Sequence, residues 1–313
     1  MSGEARLPGR LPGRIRSWNK GMALICAGAT VVLFINACSD YFYGEAQDKS
    51  RFISAKLMSG DRVLFSYAHT SYRMARGIAA FPDGGKARYD ADTNILGSYD
   101  PETGAIRIFR REHNLEWQPD AGHYHILQAM GSFAVLNQGG QRAGSYDQDN
   151  RYWLINIENG IIQELELERE LRTRGRALGY IYMVRGDGTL LLICPSIQEK
   201  ERNVHWHRDT GVIPELWVRY PDGGYHRIAA NRHYEGVSDG AIIYWIPGSR
   251  RFMSYDLSSR KSSERADYKY PPYQEVIVDV VPAEEGRRLD LGHKLDGRWI
   301  YEPLDLDPVL LEN

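Results

Sequence analysis

Residues 96–110 read Leu96-Gly97-Ser98-Tyr99-Asp100-Pro101-Glu102-Thr103-Gly104-Ala105-Ile106-Arg107-Ile108-Phe109-Arg110. A run ending in Tyr-Asp meets an amphipathic run across a cluster of Pro, Thr and Gly. Pro presets φ and Gly supplies positive φ, so the cluster is a tight turn. The flanking β-branched and aromatic residues are strand formers. The stretch therefore predicts a β-hairpin.

The same unit recurs outward from there. Looser versions lie at 155–168, 218–228 and 252–264. Gly97-Ser98-Tyr99-Asp100 returns as Gly144-Ser145-Tyr146-Asp147, a shift of 47 residues, with an echo at Met253-Ser254-Tyr255-Asp256. Between the copies the chain keeps one pattern. Apolar or aromatic runs of strand length occur at 62–67, 94–99, 105–109, 152–157, 180–184, 215–220, 241–246 and 275–280. Turn clusters separate them, among them Pro82-Asp83-Gly84-Gly85, Gly186-Asp187-Gly188-Thr189, Pro221-Asp222-Gly223-Gly224 and Pro247-Gly248-Ser249-Arg250. The 20 Tyr, 7 Trp, 31 Gly and 14 Pro fit aromatic strands joined by tight turns.

A period of about 40–50 residues with some four strands per unit marks propeller blades. The Tyr-Asp-x-x-Thr-Gly hairpins resemble those of WD40-like and TolB-like β-propellers. The resemblance implies an all-β domain of about six four-stranded blades over residues 52–313. A two-sheet β-sandwich is the alternative. Residues 161–174 are the one helix candidate. Leu165 and Leu167 alternate with Glu164, Glu166 and Glu168, which predicts an edge strand, with a short helix as the rival. Residues 303–313 are expected to pair with the first blade or dock on its outside.

The N-terminus has a different character. Residues 21–35 carry no charge, follow Arg6, Arg10, Arg14, Arg16 and Lys20, and precede Asp40, Glu45 and Asp48. The positive-inside bias puts the N-terminus in the cytoplasm and the body outside. The run is short for a span, which favours a signal-peptide core. Ile35-Asn36-Ala37-Cys38 resembles the lipobox of bacterial lipoproteins, which implies lipidation at Cys38. With Ser39 following it, delivery to the outer membrane is favoured. An uncleaved inner-membrane anchor and ordinary signal-peptidase cleavage are the alternatives. Residues 1–38 are thus expected to be a signal peptide or anchor and 39–51 a tether or first strand.

Charge is distributed to match. The whole chain has 39 basic and 41 acidic residues, and without the leader the balance is 34 to 40, or −6. A mildly acidic body without a Lys/Arg cluster argues against nucleic acid, where phosphate neutralisation supplies most of the affinity. Cys194, within Leu191-Leu192-Ile193-Cys194, is expected to be a core residue rather than a nucleophile.

Candidate chemistry is sparse. His123-Tyr124-His125 and His205-Trp206-His207 each put two imidazoles on one strand face, so His123, His125, His205 and His207 are the metal-ligand candidates. The competing reading is single hydrogen-bonded or solvated histidines. Asp83, Asp100, Asp187 and Asp222 sit at turn tips and are expected to cap turns. No nucleophile elbow, P-loop, dinucleotide fingerprint, zincin motif or haem motif is present. No cofactor is expected. The sequence thus favours a membrane-tethered binding or assembly module of the bacterial envelope, with envelope proteins or glycans as partners. A polysaccharide-acting hydrolase or lyase is the alternative.

Overall fold

The computed structural model describes residues 43–75, 87–114, 123–138, 151–198, 214–230, 232–246, 251–266, 278–306 and 311. Two compact units divide the chain, one of residues 1–48 and 71–90, the other of 49–70 and 91–313. In the smaller unit the described residues are the distal ends of the first three strands.

The fold is all-β. The first sheet comprises β1 (Tyr43–Leu57), β2 (Val63–Ala75), β3 (Ala87–Tyr99) and β4 (Ile106–Asn114), in that order. The second holds β5 (Tyr124–Met130), β6 (Phe133–Gln138), β7 (Arg151–Asn156) and β8 (Ile161–Leu165). A short helix, α1 (Leu167–Arg172), follows it. The third sheet holds β9 (Tyr180–Arg185), β10 (Thr189–Cys194), β11 (Glu215–Arg219) and β12 (Tyr225–Ala229). The fourth holds β13 (His233–Ser238), β14 (Ala241–Ile246), β15 (Arg251–Asp256) and β16 (Lys261–Glu264). The fifth has three strands, β17 (Val278–Ala283), β18 (Arg288–Leu295) and β19 (Arg298–Pro303). Each sheet is an antiparallel meander in chain order. The described residues thus hold five sheets rather than the two of a sandwich, against a length that divides into about six blade periods.

All four copies of the repeated unit fall at one place, the hairpin between the third and fourth strands. Asp100 Oδ1 accepts the amides of Glu102 (3.0 Å) and Thr103 (3.2 Å). Asp256 Oδ1 does the same for Ser258 (3.1 Å) and Ser259 (2.5 Å). Asn156 Oδ1 accepts from Glu158 (3.0 Å), and Asp222 Oδ1 accepts from Gly224 (2.8 Å). The turn aspartates are therefore structural caps, as the sequence suggests; Asp83 lies outside the described residues.

Four apolar layers join the sheets face to face. Leu64 and Leu96 of the first sheet, with Met58 from its β1–β2 turn, meet Tyr124, Leu136 and Ile155 of the second. Val135, Leu154 and the helix residues Leu167 and Leu171 meet Met183, Leu190, Leu192 and Cys194 of the third. Leu191, Leu216 and Val218 meet Ile242, Tyr244 and Tyr255 of the fourth. The remaining layer links the last sheet to the first: Val280 and Leu289 pack with Phe52, Phe65 and Ile95, and Leu306 and Leu311 of the tail join them. The tail thus docks on the first sheet.

One expectation is corrected. Residues 161–174 are neither one strand nor one helix, but β8 followed by α1. Leu165 and Leu167 are both buried, so the two-residue spacing runs across the junction and imitates a continuous strand. Leu171, four residues after Leu167, is the buried partner that marks the helical turn. Of the segment expected to be a tether or first strand, residues 43–51 are strand and belong to β1. The expected hydrophobic helix of the leader, together with Cys38, lies outside the described residues. Among the described residues no helix is long and apolar enough to cross a membrane.

Candidate functional site

The first strands of the sheets are neighbours. Ser54 Oγ on β1 accepts the amide of Ile126 (2.9 Å) and donates to Tyr124 O (3.3 Å) on β5. Gln128 Oε1 on β5 accepts the amide of Met183 on β9 at 2.6 Å. The rings of Tyr182 on β9 and Tyr234 on β13 lie 4.8 Å apart. Lys56 on β1 pairs with Asp279 on β17 at 3.7 Å. A first strand is a sheet edge with unpaired backbone groups. Here side chains of the adjacent sheet satisfy some of them.

The turns behind these strands touch in the same succession. Ser59 N donates to Gly131 O (3.0 Å), joining the β1–β2 and β5–β6 turns. Gly131 has φ +61°, and a Cβ there would come within 3.1 Å of Gly186 O in the β9–β10 turn. A side chain at 131 would therefore meet both backbone strain and a neighbouring turn.

Between β5 and β9 lies an open cleft of about 340 Å³, lined by Leu127, Gln128, Asn137, Tyr152, Gly179, Tyr180, Ile181 and Tyr182. Its shape starts from a register break. Ile126 pairs with Leu136 and Gln128 with Val135, so Leu127 is the extra residue of a β-bulge. Such a bulge re-aims side chains. Leu127 is exposed, while Gln128 bridges to the next sheet. Tyr180, 52% exposed, stands at the rim, and Tyr152 lies deeper. Burial, with help from the Glu168 carboxylate, pushes the Tyr152 phenol up to about 12, against a hydrogen bond from Asn137. Burial also raises Tyr182, with Tyr180 adding to it. Near neutral pH these phenols keep their protons and act as donors. The cleft thus offers aromatic faces, two amides and hydroxyls to an uncharged ligand.

The histidine candidates lie elsewhere. His123 is buried just ahead of β5, and His125 is half-buried on it opposite Asn137. His205 and His207 lie outside the described residues. Among the described residues no group of three or more His, Cys, Asp or Glu is placed to hold a metal.

Cys194 is fully buried at the end of β10. Burial, reinforced by the Glu215 carboxylate, pushes its thiol up to about 12. A thiol that high holds almost no thiolate at neutral pH, so it is a poor nucleophile. In the native protein Cys194 is expected to stay unmodified by a thiol reagent that labels it fully in denaturant. Peptide mass mapping reads the difference, and rapid native labelling would contradict the core assignment.

Asp187 is tied to its own hairpin. Burial opposes its ionisation, but hydrogen bonds from Arg185 and Thr189 outweigh that and hold its carboxyl below the usual range. Arg185 Nε donates at 2.7 Å and the Thr189 hydroxyl at 2.6 Å. With its oxygens occupied, this carboxylate serves the β9–β10 turn.

The sequence marks Tyr180-Ile181-Tyr182 as a strand, yet gives no sign that it opens a sheet and faces β5. Leu127 and Gln128 carry no motif at all. Alternation around a bulge would have been the signal, and a bulge is not legible without the partner strand.

No protein-family model and no curated protein matches the sequence. Among solved structures the chain is similar to the acylaminoacyl peptidase of Pyrococcus horikoshii, with TM-score 0.30 and 11% identity over 83% of this chain and 45% of the peptidase chain. It therefore spans less than half the length of that enzyme. It is also similar to the Penicillium chrysogenum alpha-L-arabinanase complexed with arabinobiose, with TM-score 0.27 and 10% identity over 85% of this chain and 94% of that one. At these scores neither likeness bears on the site.

Proposed function

We propose that the chain is a binding module of the β-propeller kind, with five blades, held by its leader at the extracytoplasmic face of a bacterial membrane. Ring order is supported by the succession of contacts from β17 to β1, β5, β9 and β13. The leader supports the location through its basic start, apolar run and Cys38.

One observation carries the binding role: the cleft beside the first strands is lined by Tyr152, Tyr180, Tyr182, Gln128 and Asn137. Tyr rings offer apolar faces with a polar tip, and amides give directional hydrogen bonds. That combination suits the sugar rings of a neutral envelope glycan. Glycosidases of the common types place two carboxylates about 5–10 Å apart across the scissile bond. Tyrosines, amides and aliphatics line this cleft instead, which favours binding over hydrolysis.

Titration calorimetry with neutral oligosaccharides prepared from the cell envelope tests the reading. Tyr180→Ala is expected to weaken binding roughly 3- to 10-fold, the scale of one lost aromatic contact. Absence of binding by the wild-type chain, or equal affinity in the variant, would rule the cleft out. Fractionation with mass spectrometry of the mature N-terminus tests the tether separately. An unprocessed chain in the cytosol would overturn it.

A further inference from the structure

We infer that the outer edge of the fifth sheet joins a second copy of this chain, strand β19 pairing antiparallel with β19 of the partner about a two-fold axis at Ile300. This goes beyond the proposed binding role and does not depend on it. Among the described residues the fifth sheet has three strands where the other four sheets have four. All six residues of β19, Arg298-Trp299-Ile300-Tyr301-Glu302-Pro303, are exposed. Leu295, Trp299, Ile300 and Tyr301 form an apolar group there. An open edge with exposed apolar side chains is a template for another strand.

The register follows from the hairpin. Asp296 (φ 50°) and Gly297 (φ 76°) make the two-residue turn between β18 and β19. Such a turn closes on a hydrogen-bonded pair, here Leu295 with Arg298. Alternation then turns the backbone groups of Arg298, Ile300 and Glu302 toward β18 and those of Trp299 and Tyr301 outward. A two-fold ladder centred on Ile300 pairs Trp299 with the second copy's Tyr301 through those outward groups. It sets Arg298 opposite Glu302 at each end, in non-hydrogen-bonded positions where side chains approach most closely. Centring on Trp299 instead would oppose Glu302 to Asp296. Centring on Tyr301 would place Trp299 against Pro303, which has no N–H to give. Only the ladder at Ile300 matches charge with charge and donor with acceptor.

The aromatic rings leave the edge clear. Trp299 and Tyr301 stack with centroids 6.0 Å apart. They lie over Gly292 of β18, where a Cβ would meet Tyr301 Cε1 at 2.8 Å and Trp299 Cε3 at 3.1 Å. The glycine thus gives the rings a seat on the sheet face.

A contact this short belongs to the weak class. Sedimentation of the full chain in mild detergent, over about 1–300 μM, is expected to show a monomer–dimer equilibrium. Arg298→Glu and Glu302→Arg each place like charges opposite one another and are expected to raise Kd at least 10-fold. The double exchange restores the pairing and should restore the dimer. Ile300→Cys is expected to form a reducible dimer on oxidation. A monomer at every concentration overturns the inference, and would leave β19 to another segment of the chain or to another protein. A dimer indifferent to the single exchanges overturns it too, since it must use another surface.

Discussion

Truncation after Pro303 is expected to abolish cooperative folding or bring it to the edge of detection. The tail looks dispensable by position, yet Leu306 and Leu311 are buried in the layer between the last and first sheets. Tyr99 donates its phenol to Asp305 O at 2.9 Å, Arg111 donates to Leu311 O at 3.0 Å, and Leu304 N bonds Leu289 O at 2.9 Å. Each buried leucine contributes about 2–5 kcal/mol by the scale of Leu→Ala substitutions. Each hydrogen bond adds about 0.5–1.5 kcal/mol. Together they approach the roughly 5–15 kcal/mol that holds a typical domain folded. Leu311→Ala isolates one part and should lower stability by about 2–5 kcal/mol. Urea unfolding followed by Trp fluorescence and circular dichroism measures both variants. An unchanged midpoint after truncation would mean that the last sheet holds the first without the tail.

The same junction shows what the sequence discloses and what it hides. Hairpins at Asp100, Pro221 and Asp256 are legible because turn chemistry is local: a carboxylate caps the amide two residues on, and at Asp100 and Asp256 also the one three residues on. Their number is not legible by division. The turns start at Asp100, Asn156, Tyr220 and Asp256, at unequal intervals, because the connections within and between the sheets differ in length. The start of β1 stays open in the sequence, as tether or strand, for another reason. Glu45, Gln47, Asp48 and Lys49 are exposed, so the strand reads as polar linker until its neighbour β2 is known. Cleft and edge are harder still. Tyr180 is functional in this reading only because β9 opens a sheet, and Trp299 only because β19 closes one. Order within a sheet is a property of pairing, which no window of sequence contains.

Glu215→Ala should cost about 2–4 kcal/mol, and Glu215→Gln distinctly less. Glu215 is buried on β11 opposite Cys194. Arg176 and Arg227 each bring a guanidinium nitrogen within 2.6 Å of its Oε1, and Trp217 Nε1 donates to Oε2 at 3.0 Å. One carboxylate thus serves three donors from three places: the isolated bridge strand at Arg176, β11 itself and β12. Breaking a buried ion pair by removing one partner costs about 3–5 kcal/mol, since the other charge stays uncompensated. The discount here comes from Arg227, which is half-exposed and can turn to water. Gln keeps one acceptor oxygen, for the indole or for a guanidinium, and loses the charge and the second acceptor. Replacing both Arg227 and Glu215 by Ala should lose less than the two single losses added together, because the second change removes a group already stranded. That double-mutant cycle, read by urea unfolding, separates the Arg227–Glu215 pair from mere loss of packing: strict additivity would show that Arg227 stands near Glu215 without depending on it.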